Sequence, residues 1–210
     1  HQIQAMLIIE PDVCLLRTIL KVEIHLQTFL SCISIVHYDL KLLIFSTQLY
    51  NEFFIAKTCS NEVFYHECRG GYRGPEPLSE KETSAISKFI LKKKKKIKMY
   101  ITLSSGSKAI TFPWGGVKEK VSNYDQLYSI STEAVDDIKK FSGNTFSNGQ
   151  TTDIIYEPEG GRSDDWVYGV ANISLAFTFD LNYYERPPEE IHPTFQEVFV
   201  AIKVMVNNIY

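Results

Sequence analysis

The chain lacks any apolar run long enough to cross a bilayer as a helix. Val13–Leu43 is rich in Leu, Ile and Val, but Arg17, Lys21, Glu23, His25, Asp39 and Lys41 interrupt it. Its longest uncharged stretch, Leu26–Val36, falls far short of the roughly 20 residues a span needs. A strong charge of either sign is also missing. The formal net charge is −3, so no overall field points to nucleic acid or to a membrane surface. No basic start followed by a small-residue cleavage site is visible, so no signal peptide is read. Cysteine is sparse, and Cys14, Cys32, Cys59 and Cys68 fit no C-x-x-C metal pattern. They allow up to two disulfides and fix none, which leaves the compartment open. An initiating Met is absent too. The start at His1 is read as a processed protein, a fragment or an incomplete coding sequence.

What is present is ordinary for a folded protein. Apolar residues make up 44% of the chain and charged residues 22%, and 210 residues suffice for one α/β domain with a sizeable core. The two ends differ in character. Gln2–Thr58 has few glycines, few loop signals and no clean period, so no element is assigned there. From Tyr72 onward helix and strand signals alternate. Ser79 and Glu82 form a capping box ahead of a helix with Ile86, Phe89 and Ile90 on one face. Lys92–Lys96 reads as the solvated end of that helix, with an acidic or phosphate partner as the sharper alternative. Met99–Phe112 is a strand broken at Ser104-Ser-Gly-Ser107. Ser131 caps a helix carrying Val135, Ile138 and Phe141. Phe146–Thr152 reads as polar loop and Asp153–Tyr156 as a short strand.

Tyr156–Trp166 is a loop rich in Gly and Asp, and Ile173–Leu181 is the apolar run of a buried central strand. Thr194 and Glu197 form a second capping box, before a helix with Phe195, Val198, Phe199, Ile202 and Val206 as its apolar stripe. The sequon Asn172-Ile-Ser174 sits at the start of the buried strand and is read as unoccupied. Trp114 and Trp166 are read as packing residues. Alternating helices and apolar strands argue an α/β sheet covered on both faces, with ligands beyond the carboxyl ends of its strands. The Ser-rich break, the SDDW loop and Asp180 all lie near such ends.

Five segments then fall into a known order. Cys68–Thr83, CRGGYRGPEPLSEKET, looks like C-S-E-x-Y-R-G-P-x-P-F-S-E-x-E-T. Thr102–Gly115, TLSSGSKAITFPWG, is similar to T-L-H-S-Y-G-K-x-I-L-Y-P-W-G. Tyr156 followed by Gly160-Gly-Arg-Ser-Asp-Asp-Trp166 looks like Y-x-A-x-G-x-S-D-D-W, and Phe177–Leu181 is similar to F-T-F-E-L. Ile191-His-Pro-Thr194 matches I-x-P-T before the terminal helix. Over Cys68–Asn208 the chain resembles the zinc metallocarboxypeptidases of the pancreatic and insect-digestive A/B type, as a degenerate or truncated copy. The resemblance implies a mixed, mostly parallel central sheet flanked by helices, incomplete on its N-terminal side. It divides the chain into a divergent or mis-assembled segment, 1–58, and the C-terminal part of a carboxypeptidase-like domain, 59–210.

For activity, the resemblance implies a zinc bound by two histidines and a glutamate, with hydrolysis of the C-terminal residue of peptides. Here Ser104 stands where the third ligand, a histidine, belongs. The other two ligands come from H-x-x-E, and His1, His25, His37, His66 and His192 are followed at the third position by Gln4, Thr28, Leu40, Arg69 and Phe195. Zinc is therefore the family's cofactor, and none is expected in this chain. Asp180 stands at the general-base glutamate, one methylene short, with a carboxylate bonded to nearby backbone as the bland alternative. Tyr156 matches the tyrosine that closes over bound peptide, or packs its own loop. Ser105 matches the serine of the substrate groove, or serves the bend.

Asp164 falls where B-type enzymes carry the aspartate of the specificity pocket, which implies a preference for C-terminal Lys or Arg. Asp165 is then the structural aspartate beside Trp166, and Arg162 is one residue more than the pattern holds. Gln48–Phe53 is the nearest match to D-x-N-R-N-[FW], with Tyr50 and Asn51 at its Asn-Arg pair, so the clamp on the terminal carboxylate is lost. The family partner of the Cys68 position falls near Ile44 or Phe45, where no cysteine stands; Cys59 is one alternative partner, and the pairing stays open. The resemblance implies a secreted, monomeric protein with peptide or protein C-termini as partners and neither nucleic acid nor membrane. Three readings follow: an inactive carboxypeptidase-like protein with a residual groove, an active digestive enzyme seen through a faulty or partial sequence, or a remnant that folds poorly. The first or third is preferred for the chain as written.

Overall fold

The computed structural model describes residues 4–9, 43–47, 76–79, 81–155, 160–182 and 188–209. In chain order the elements are β1 (Gln4–Ile9), β2 (Leu43–Thr47), α1 (Lys81–Lys93), β3 (Met99–Phe112), α2 (Tyr124–Ser142), β4 (Ser147–Gln150), α3 (Thr151–Ile154), α4 (Ser163–Gly169), β5 (Leu175–Asn182) and α5 (Pro188–Asn207). The sheet is mixed. β2 pairs β1 and β1 pairs β3 antiparallel, while β4 and β5 each pair β3 in parallel. β3 is thus the strand on which the described sheet is built.

Successive side chains on a strand point to opposite faces. Met99, Ile101, Ile110 and Phe112 of β3 and Leu175, Phe177 and Phe179 of β5 meet α2 and α5 on one face. Tyr100 and Ala176 meet α1 and α4 on the other, with Ile86, Ile90, Trp166 and Val167. The sheet is therefore covered on both faces, as its sequence pattern implies. The same alternation carries Thr102, Ser104, Thr178 and Asp180 onto the α4 face. β5 is apolar along one face only.

Several expectations need correction. β1 and β2 form within Gln2–Thr58, where no element was assigned. They are brief apolar runs whose pairing lies far away in sequence, with Ala5 opposite Leu103 and Ile9 opposite Met99. α2 begins at Tyr124, not after Ser131. Ser131 lies inside the helix, fully buried, and its hydroxyl donates to the Tyr128 carbonyl (3.0 Å). The buried stripe of α2 is Leu127, Ile130, Ser131, Ala134 and Ile138, whereas Phe141 is 53% exposed. The helix ends at Gly143, whose φ of 77° lets its N–H reach the Lys139 carbonyl.

Phe146–Thr152 is not loop. It contains β4, which runs beside Ala109–Phe112, and the following residues turn as α3 rather than as a strand. β4 is polar because Gln150 is buried as a hydrogen-bonding hub: its amide donates to the Glu119 carbonyl (3.0 Å) and the Thr152 hydroxyl (2.9 Å). α5 begins six residues before Thr194, and the Thr194 hydroxyl donates back to the Glu190 carbonyl (2.8 Å) instead of capping. Glu197 accepts from the Asn144 amide across the α2–β4 junction. Val198, Ala201 and Met205 are the buried stripe of α5. Asn172 is exposed in the turn before β5, so burial gives no reason for its sequon to stay unoccupied.

The Met99–Phe112 strand is borne out, including its break. Its register against β5 shifts between Gly106 and Ser107 and again before Ala109, and Lys108 adopts a φ of 56°. Truncating the central strand should be far costlier than truncating the surface. Phe177→Ala is expected to lose about 3–5 kcal/mol in urea unfolding, and Phe141→Ala to stay within about 0.5 kcal/mol of the parent.

Candidate functional site

The carboxyl end of β5 and the break in β3 come together. In the parallel ladder Ser104 is the direct partner of Asp180, and Ser105 the partner of Leu181. Gly106 packs against Asp180 so closely that a Cβ there would lie 2.7 Å from the Asp180 Cβ. The glycine of this stretch therefore has a physical reason: the Asp180 side chain fills the space beside it. Tyr156 and Cys59, Cys68 and Gln48–Phe53 lie outside the described residues, as does the first part of the Cys68–Thr83 segment.

The second half of the site is α4. Its first turn carries Asp164 and Asp165, where carboxylates suit the positive pole of a helix. Asp165 is fully buried and fastens the loop after β3. Its Oδ1 accepts from the Gly115 N–H (2.9 Å) and its Oδ2 from the Gly116 N–H (2.9 Å). Trp114, just before, stands edge-on to Tyr168 with ring centroids 5.1 Å apart. Trp166 is buried in the α1–α4 core, so both tryptophans pack, as expected.

Asp164, 1% exposed, is ringed by donors. The Thr178 hydroxyl donates to Oδ2 (2.8 Å) and the Asp165 N–H to Oδ1 (3.1 Å). The Arg162 guanidinium forks onto both oxygens, with Nε on Oδ1 and Nη2 on Oδ2, each at 3.2 Å. The Arg162 side chain is itself only 13% exposed. It crosses directly over Gly115, where a Cβ would sit 2.3 Å from the Arg162 Cδ.

The electrostatics follow from this crowding. Burial disfavours the Arg162 charge, but the carboxylates of Asp164, Asp180 and Asp165 outweigh it and hold the guanidinium firmly protonated. Burial, with the Asp164 charge beside it, pushes the Asp165 carboxyl from the ordinary 3.8 up to about 7, against the pull of Arg162 and the two glycine N–H groups. Burial also keeps the Tyr100 phenol protonated, well above its usual range. Arg162 thus lies among the three carboxylates of the site. The sequence marked it only as a surplus residue, and its role was legible in the pairing of a surplus cation with two adjacent acids.

The sequence pattern of the zinc carboxypeptidases matches residues 50–201, a span that holds Ser104, Asp164 and Asp180. The chain belongs to the zinc carboxypeptidase family. Carboxypeptidase B of Astacus astacus is 35% identical over 145 residues, covering 67% of this chain and 48% of that protein. Zinc carboxypeptidase A 1 of Anopheles gambiae is 34% identical over 142 residues, covering 64% and 33%. Bovine thrombin-activatable fibrinolysis inhibitor, solved with a tick carboxypeptidase inhibitor, superposes with a TM-score of 0.71 at 27% identity, over 79% of this chain and 57% of that one. The chain spans about half or less of the length of these curated relatives.

Zinc carboxypeptidases imply a zinc ion, and the donors described here do not fit one. Zinc takes imidazole, thiolate or carboxylate ligands, with three from the protein at a catalytic site. The side chains at this end of the sheet are a serine hydroxyl, the Asp180 carboxylate and, close to it, a guanidinium that would repel a dication. The one histidine among the described residues, His192, is exposed on α5. Among those residues no three His, Cys, Asp or Glu side chains group as a metal site. No described helix is long and apolar enough to cross a membrane.

Two outcomes test this geometry. Gly115→Ala should displace the Arg162 fork and cost about 1–3 kcal/mol of stability, read by denaturant unfolding. Because Asp165 titrates near 7 folded and near 3.8 unfolded, the native state binds more protons between those values. Its contribution is therefore full below about pH 4 and lost as pH rises through about 7. Asp165→Asn should flatten that part of the stability–pH curve relative to the parent, even though it loses an acceptor for the glycine N–H groups.

Proposed function

We propose that this chain is a zinc-carboxypeptidase-like protein that binds peptide or protein C-termini without zinc and without turnover. One observation carries the reading: the ladder sets Ser104, and not an imidazole, against the carboxylate of Asp180. A neutral hydroxyl is a poor zinc ligand, and a base one methylene short sits away from where a water would be activated. Asp180 keeps the charge of the family's general base, Ser105 the groove serine, and Tyr156 the tyrosine over the peptide. The division at residues 58 and 59 belongs to the same reading, although the family match already begins at residue 50. So does secretion, which rests on resemblance to the digestive enzymes, and so does a monomeric state.

Asp164 supports a B-like relation to basic C-terminal residues, and carboxypeptidases B of Astacus astacus and B2 of Homo sapiens are among the relatives. In the family reaction that carboxylate would attract Lys or Arg. Here its charge is already matched.

Purified protein equilibrated with zinc and then desalted should retain far less than one zinc per chain by elemental analysis. It should show no hydrolysis of peptides ending in Lys or Arg, and a chelator should leave its melting temperature unchanged. Stoichiometric zinc together with turnover would sink the inactive reading.

A further inference from the structure

Asp164 can accept no further hydrogen bond. A carboxylate offers about four acceptor sites, and Thr178, the Asp165 N–H and the two Arg162 nitrogens occupy them. Two of those partners are immovable. Thr178 is on the central strand β5, and the Asp165 N–H is in the first turn of α4. Arg162 alone reaches Asp164 by a long side chain from outside the helix, passing over Gly115. Any cationic ligand of Asp164 must therefore displace Arg162.

We propose that Arg162 is a built-in occupant of this pocket: its guanidinium holds the place beside Asp164 that the basic end of a ligand would take, and so closes the pocket to Lys and Arg. The site beneath it is a guanidinium site in its own right. It has a buried, bidentate carboxylate, a fixed hydroxyl donor that orients it, and a glycine that leaves room for a flat cation. The ligand class is an alkylguanidinium or the side chain of a terminal arginine. The inference rests on the peptide-binding reading only for the second of these, so two experiments separate them.

In the first, the full chain and its Arg162→Ala variant are melted with and without ethylguanidinium, against sodium chloride at equal ionic strength. The variant should melt lower than the parent and regain part of the difference in a saturable way. The parent and the Arg162→Ala, Asp164→Asn double variant should not respond. If the alanine variant does not fold, Arg162→Met, whose unbranched side chain brings no donor to Asp164, carries the same comparison. A variant that responds to ethylguanidinium no more than the parent overturns the proposal, because Arg162 is then only a structural partner of Asp164. In the second, the parent is titrated with peptides differing only in a terminal Arg or Leu. Similar affinity is expected, whereas a preference for Arg of about tenfold, or 1.4 kcal/mol, overturns the closed pocket. Should neither peptide bind, the peptide-binding reading fails and the melting experiment still decides the pocket.

Discussion

The site depends on a pair of adjacent buried carboxylates held by a single guanidinium. Asp164 and Asp165 are neighbours in sequence, both essentially without solvent contact. Two like charges at contact distance in a protein interior oppose each other by about 4 kcal/mol at an effective dielectric constant of 20. Three features of the chain relieve that opposition. Arg162 forks onto Asp164, the N–H groups of Gly115 and Gly116 converge on Asp165, and both acids lie in the first turn of a helix. Each has a covalent consequence. The loop needs an arginine before the helix, the strand must lead into two glycines, and the first of these must lack a side chain so that the arginine can cross it. Burial first, and the residual conflict with Asp164 second, lift the Asp165 carboxyl toward neutrality.

This arrangement is possible because the sheet gives its two faces different work. Phe177 and Phe179 pack β5 into the core with α2 and α5. Thr178 and Asp180, at alternate positions, are free to be polar. Thr178 uses that freedom to orient Asp164. Thr178 and Asp180 are thus mounted on a strand whose other face is fully packed, which fixes their positions to the register of one parallel ladder.

Much of this was legible in the sequence where the signal is local. Met99–Phe112 and the buried β5 were readable from their own residues. The failures have physical causes. Ser131 and Thr194 look like caps, yet a hydroxyl inside a helix satisfies itself on the carbonyl three or four residues back, which sequence alone does not distinguish from capping. β4 is polar because its buried glutamine finds partners in loops. β1 finds its partner roughly ninety residues along the chain, beyond the reach of any local pattern. Arg162 was noticed as surplus but not placed, because a bidentate contact depends on where the loop ends, and only the Asp165 anchor fixes that.

The departures from the family pattern at Ser104, Gly106 and Asp180 lie together in one ladder. The pattern T-L-H-S-Y-G has a tyrosine where Gly106 stands, and the backbone here leaves no room for any side chain, since a Cβ would meet the Asp180 Cβ at 2.7 Å. A residue without a side chain at position 106 is therefore what the Asp180 side chain requires of the strand beside it. The charge that the carboxylate faces has changed as well. In the family pattern the equivalent acid works beside a dication, whereas Asp180 helps to stabilise the guanidinium of Arg162. A buried carboxylate requires some positive partner. Arg162, in the neighbouring loop, provides one, and its charge acts on Asp164, Asp180 and Asp165 together.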